Sequence, residues 1–189
     1  MLGLIEPEKL GITLTHEHLL IDLSFLRPEP AEAHARQIFH NPLTLETLRY
    51  VKHYGMASLD DFRLLDVDTA IEEANLYRQH GGDSLVDATS IGIARDPVSL
   101  GRISRETGLN IVMGSSYYVH ESHPHDMDAR TEDEITEQIV RDITEGVNGT
   151  GIRSGVIGEV GCSWPLTDNE RKVVRASGRA QRLTGPPRA

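Results

Sequence analysis

The chain has 189 residues, 38% of them hydrophobic and 25% charged, with a formal net charge of −10. That size and apolar content suit one globular domain over residues 1–189 with a core of its own. The acidic balance argues against nucleic acid or an anionic membrane surface as a partner, because both reward a basic face. No stretch reaches the apolar length that crosses a bilayer, and Met1-Leu-Gly-Leu-Ile-Glu-Pro lacks the basic start and apolar core of a leader, so a cytoplasmic protein is expected. The single cysteine, Cys162, cannot close an internal disulfide, which agrees with a reducing compartment.

The first expected strand, about residues 11–16, lies in Gly11-Ile-Thr-Leu-Thr-His16-Glu-His18-Leu-Leu20. A long segment follows to about residue 67, reading as loop plus one helix. In that helix Asn41 is the expected cap and Pro42 the first residue, Leu43, Leu45, Leu48 and Val51 form an apolar face, and Gly55 is the stop. A connection of that length is often functional.

From there the pattern is regular. Asp68 caps a helix that runs to His80 and stops at Gly81-Gly82, and Ser84-Leu-Val-Asp-Ala-Thr-Ser90 is a short strand. Asp96-Pro97 opens a helix to Gly108, and Asn110-Ile-Val-Met-Gly-Ser-Ser116 is the next strand. Thr131-Glu-Asp-Glu134 is a capping box leading into Ile135, Ile139, Val140 and Ile143. Gly155-Val-Ile-Gly-Glu-Val-Gly161 is a fourth strand, and Thr167-Asp-Asn-Glu170 a second capping box opening the last helix. Strands each followed by a helix predict βαβ units and a parallel sheet. Right-handed crossovers then gather the strand C-terminal ends on one side, where α/β folds place their chemistry.

His18, the loop over 89–96, residues 117–125 and residues 159–164 map to that side. In a strand, side chains at i and i+2 share a face, so His16 and His18 can close on one metal ion while Glu17 points away. Spacing alone is weak, since with nine histidines roughly 0.4 His-x-His pairs arise by chance. Two ordinary turn histidines are the competing reading. Glu159 stands among Gly, Val and Ile, so its carboxylate needs a partner, either a divalent metal or an arginine or backbone group. His120, His123 and His125 sit in a Pro-containing loop, where solvated histidines are the rule.

Tyr117 and Tyr118 alternate faces, so one can line a pocket while the other packs beneath a helix. Asp87 is placed either to orient a ligand histidine or to accept backbone hydrogen bonds. Cys162, in the loop after the fourth strand, reads as a small buried residue, and Arg171, Arg175 and Arg179 on the last helix as a basic stripe on a wet surface. The sequence has no Walker A loop, G-x-G-x-x-G, G-x-S-x-G, paired C-x-x-C or H-E-x-x-H.

Leu2-Gly-Leu-Ile-Glu-Pro-Glu-Lys-Leu-Gly-Ile-Thr-Leu-Thr-His-Glu-His-Leu19, Gly81-Gly-Asp-Ser-Leu-Val-Asp-Ala-Thr89, Gly92-Ile-Ala-Arg-Asp-Pro97 and Gly155-Val-Ile-Gly-Glu-Val-Gly-Cys-Ser-Trp-Pro-Leu166 resemble the phosphotriesterase family of the amidohydrolase superfamily, most closely its phosphotriesterase-related branch. The resemblance implies a (β/α)8 barrel with a binuclear site, usually zinc, at the C-terminal face. His16 and His18 match the His-x-His ligands of the first strand. Glu159 matches the bridging carboxylate of the fourth, and is the residue to which the resemblance gives a catalytic as well as a metal-holding role. In the family a metal-bound hydroxide attacks an electrophilic phosphorus or carbonyl carbon of a small-molecule ester, lactone, phosphoester or amide.

The resemblance also implies a His on strand five, a His on strand six and an Asp on strand eight, none of which falls within these 189 residues. A full barrel takes about 250 residues and eight units, against the four read here. The expectation is therefore a partial (β/α)8 barrel, a truncated domain holding at most one divalent ion weakly. Its unpaired edges would favour self-association. The alternative is a catalytically inactive half-barrel.

Overall fold

Stretches rich in Val, Ile and Leu, each followed by a capped amphipathic helix, build a parallel sheet layered by helices in the computed structural model, which describes residues 2–54 and 58–185. The strands are β1 (Thr13–Glu17), β2 (Ile21–Asp22), β3 (Arg63–Leu64), β4 (Ser84–Asp87), β5 (Asn110–Ser115) and β6 (Val156–Ile157). The helices are α1 (Ala33–His40), α2 (Leu45–Tyr54), α3 (Val67–Gln79), α4 (Pro97–Thr107), α5 (Glu132–Thr144) and α6 (Asp168–Thr184). β1, β4, β5 and β6 are neighbours in that order and all pair in parallel, while β2 and β3 form a separate antiparallel ribbon. This is the parallel sheet of βα units that the strand and helix pattern predicts, and the partial barrel that the family resemblance implies.

The register separates two faces of the sheet. Leu85 lies opposite Ile111, and both are buried with Ala70, Ile71 and Ala74 of α3 and Leu100 and Ile103 of α4. Val86 opposite Val112 is only half-buried on the other, concave face. A second cluster joins Tyr117 and Met127 to Ile135 and Ile139 of α5 and to Val173, Ala176 and Ala180 of α6. The helices thus cover one side and leave the inner side of the strands for chemistry.

Local signals work where a side chain satisfies a helix terminus. Asp96 accepts from the N–H groups of Val98 and Ser99 at 3.0 Å, Pro97 opens α4, and Gly108 closes it with φ 71°, a left-handed conformation that costs glycine nothing. Both expected capping boxes form, Thr131 with Glu134 and Thr167 with Glu170.

Several boundaries differ from the sequence reading. The long connection holds two helices, and Asn41 closes α1, its N–H bonded to Ile38 O. Thr44, not Asn41, caps α2, exchanging hydrogen bonds with Thr47. Of the expected apolar face, Val51 is buried and Leu48 half-buried, while Leu43 and Leu45 are 39% and 89% exposed. The expected stop at Gly55 lies outside the described residues. Asp66 rather than Asp68 caps α3, accepting from Thr69 N at 2.7 Å, while Asp68 is freed to pair with Arg102. The strands expected over 84–90 and 155–161 shorten to β4 and β6.

Two side-chain expectations fail as well. Cys162 is exposed, in the loop between β6 and α6. Arg179 is not merely solvated, since it reaches across to Glu132 and Asp133 and ties α6 to the start of α5. No helix among the described residues is long and apolar enough to cross a membrane.

Candidate metal centre

The rim is assembled from residues at or just past the strand C-terminal ends. His16 lies within β1, His18 follows its last residue, and Glu159 follows β6. His16 Nε2 lies 3.1 Å from one Glu159 carboxylate oxygen and His18 Nε2 lies 3.5 Å from the other. The two imidazoles meet edge to face, with ring centroids 5.3 Å apart and planes at 72°. His16 is 57% exposed, and His18 and Glu159 only 23% and 21%. The three residues anticipated from the sequence are thus brought together.

The donor set fits a small divalent cation. The three ligand atoms all lie within 4.8 Å of one another. Two donors about 2.1 Å from one tetrahedral ion sit roughly 3.4 Å apart, and the two imidazole–carboxylate separations bracket that value. Two imidazoles with one carboxylate are also the ligand chemistry of catalytic zinc sites.

Hydrogen bonding around His18 sharpens the electrostatics. Its Nδ1 lies 3.0 Å from the Thr89 hydroxyl, whose own proton goes to Leu20 O at 3.0 Å. A carbonyl can only accept, so the hydroxyl offers a lone pair to Nδ1–H. The neutral ring then turns the lone pair of Nε2 toward a carboxylate oxygen. Such an arrangement calls for a cation between them, either a metal ion or a proton.

Asp87 occupies the position from which a carboxylate could orient a ligand histidine, but its buried oxygens accept from Leu19 N at 2.8 Å and Thr89 N at 3.1 Å. Burial pushes its carboxyl up, against those hydrogen bonds and the attraction of His18. Sequence reading placed the right residue at the rim and left open which partner it takes. Thr89 carried no assigned role. The available signal was its position two residues after Asp87, the same two-residue step that joins His16 to His18.

The neighbouring tyrosines differ in burial. Tyr117 is buried in the core and accepts from Arg130 at 2.7 Å. Tyr118 is half-buried, its phenol pushed up by burial and by the charge of Glu159, and it stacks edge to face on Phe25 at 6.5 Å. Phe25, in a 3-10 turn at Ser24–Leu26, had no sequence signal. His120 and His125 are exposed, as loop histidines usually are. His123 is half-buried, and its Nε2–H donates to Tyr118 O at 2.9 Å. None of the three joins the ligand cluster.

Glu170 holds the loops around this rim. Its carboxylate accepts from His120 N at 3.1 Å, from Ser163 N and Oγ at 2.8 Å, and from Thr167 N and Oγ at 2.8 and 2.9 Å. Burial works to raise its pKa, but these donors outweigh burial and hold the carboxyl at about 2. The loop after β5 is thereby tied to the segment that carries Glu159.

Comparison with known proteins agrees with this geometry. The sequence profile of the Phosphotriesterase family matches residues 1–189. N-acetyltaurine hydrolase of Homo sapiens is 38% identical over 190 residues, 99% of this chain and 54% of the relative. A phosphotriesterase-related protein of Nematostella vectensis is 37% identical over 98% of this chain and 54% of its own. The crystal structure of a resiniferatoxin-binding protein from Rhodobacter sphaeroides superposes with a TM-score of 0.89 at 40% identity, covering 94% of this chain and 49% of that one. The chain thus spans about half the length of the relatives it matches.

Proposed function

This chain belongs to the phosphotriesterase family of metal-dependent hydrolases, and from that premise we propose that His16, His18 and Glu159 hold a divalent ion, zinc, at the heart of a hydrolytic site. A divalent ion held there supplies Lewis acidity and lowers the pKa of water. Glu159 provides the anion that balances the ion between the two imidazoles. Tyr118, near enough to Glu159 to feel its charge and stacked on Phe25, offers an apolar surface against which a substrate group can rest. The small-molecule substrate proposed is an ester, lactone, phosphoester or amide. The relative from Homo sapiens named for hydrolysing N-acetyltaurine favours the amide. The convergence of three donors from opposite edges of the sheet carries this reading. A cytoplasmic location is part of the proposal, supported by the free thiol of Cys162.

A second reading rests on a specific observation. β1 and β6 are the edges of a sheet of four strands, and the chain matches half of its relatives. On this reading the 189 residues alone hold one ion weakly, turn over nothing, and self-associate through those edges. Elemental analysis combined with a panel of N-acyl amides, lactones, aryl esters and phosphotriesters separates the two. Bound zinc with turnover lost in His16→Ala supports a working hydrolase. Bound zinc without turnover, and size-exclusion mass rising with concentration, supports the inactive half-barrel. Absence of bound zinc overturns the metal site in either form.

A further inference from the structure

We infer that Thr89 is the positioning residue of the centre: its hydroxyl locks His18 in the Nδ1–H form and aims the Nε2 lone pair at the ion. The inference deepens the proposed metal site and rests on it for its functional meaning, but the hydrogen-bond logic stands on its own. A threonine hydroxyl has one proton, and here two partners lie 3.0 Å away. Its other neighbours, Leu20 O and the Asp87 carboxylate, can only accept that proton, so Nδ1 must be the donor. The hydroxyl is itself buried and immobile. Thr89 is 1% exposed, and its N–H is fixed on Asp87.

The same Asp87 carboxylate accepts from Leu19 N, directly after His18. One buried acid therefore fixes both the backbone that carries the imidazole and the residue that orients it. Metal-binding histidines usually gain this orientation from a carboxylate or a carbonyl. Here a hydroxyl relays it, with Asp87 one step behind. Asp87 is thus a support of Thr89 rather than a partner of the ring.

The ring nitrogens report the form directly. In 15N NMR of the metal-free full chain, His18 is expected to carry a proton on Nδ1. Thr89→Ser should keep that form and bind zinc as wild type does. Thr89→Val, similar in shape without the hydroxyl, should shift the ring toward the Nε2–H form and bind zinc roughly ten- to hundredfold more weakly in chelator competition. A wild-type His18 whose Nδ1 carries no proton, or a folded Thr89→Val with unchanged ring resonances, would overturn the assignment. The wild-type resonance needs no variant, so it decides the matter even where Thr89→Val does not fold. A wild type that is protonated on Nδ1 yet binds no zinc sinks the metal site and leaves the role of Thr89 in orienting the ring intact.

Discussion

His16 and Glu159 touch at 3.1 Å although they come from the two opposite edges of the sheet. Three strand spacings separate β1 from β6, about 14 Å if the sheet were flat. Contact is possible only because the sheet curls and both side chains project into its hollow face. The ligand cluster is therefore a report on curvature as much as on chemistry. Whatever relaxes the curl pulls the carboxylate away from the imidazoles.

Zinc should accordingly stabilise the folded chain. An ion at a hundredfold excess over its dissociation constant adds about 2.7 kcal/mol, which appears as a rise in melting temperature. His18→Ala and Glu159→Gln are each expected to abolish most of that rise. His16→Ala should do so with little loss of stability in the metal-free chain, since His16 is the most exposed of the three. A zinc-induced rise that survives all three substitutions would place the ion elsewhere. Thermal scans with and without zinc, and with chelator added, read the outcome.

Gly114 on β5 controls the approach of the strand that carries Glu159. A Cβ built there meets the carbonyl oxygen of Gly158, and the next contact is Ala88 O at 3.2 Å. The obstacle is backbone rather than a flexible side chain, so Gly114→Ala must push β6 outward. The expected cost is about 1–3 kcal/mol, together with weaker zinc binding although no ligand has changed. Urea unfolding and chelator competition on the same variant test both halves, and zinc affinity equal to wild type would show that the curl tolerates the shift.

How much of this was legible follows from the range of each interaction. Periodicity and caps are local, so Thr131, Thr167, Asp96 and Gly108 announced their helix ends correctly. Asn41-Pro42 misled because Thr44 and Thr47 offered a competing local cap three residues on. The two-residue strands β2 and β3 are too short for any period to show. At the site, alternation along β1 exposed the two imidazoles. The choice between Asp87 and Thr89 as the partner of His18 depended on contacts between β1 and the end of β4 that no spacing within one segment encodes. Arg179 escaped for the same reason, its partners lying on another helix.

A buried ion pair fastens the outer layer to this frame. Arg95 lies 2.7 Å from Asp142, at 5% and 0% side-chain exposure, and the same carboxylate accepts from Ser115 at 3.0 Å and Gln138 at 2.8 Å. Removing one partner leaves the other charge buried and alone, a loss of about 3–5 kcal/mol. Arg95→Met and Asp142→Ala should both destabilise on that scale in denaturant unfolding. The double replacement should cost less than their sum, because it leaves no orphan charge. Strict additivity would mean that the two residues do not act as a pair.

Glu170 contributes to the acid sensitivity of the fold. Its carboxyl lies at about 2 in the folded chain against an ordinary 4.5. A lowered pKa favours the folded state wherever the group is ionised, so the contribution is complete above pH 4.5 and is lost as pH falls from there toward about 2. The difference corresponds to about 3 kcal/mol at neutral pH. Glu170→Gln should therefore lower stability at pH 7 and flatten the profile below pH 4.5. Glu134, the equivalent capping residue of α5, is exposed and binds no second loop, so Glu134→Gln serves as the control with a smaller effect. Glu170 also joins His120 N to Ser163 N across two loops of the rim. Loosening it should raise hydrogen exchange at those two amides while leaving the core strands β4 and β5 protected. Unchanged exchange at His120 and Ser163 in Glu170→Gln would show that the carboxylate caps its helix and does nothing for the rim.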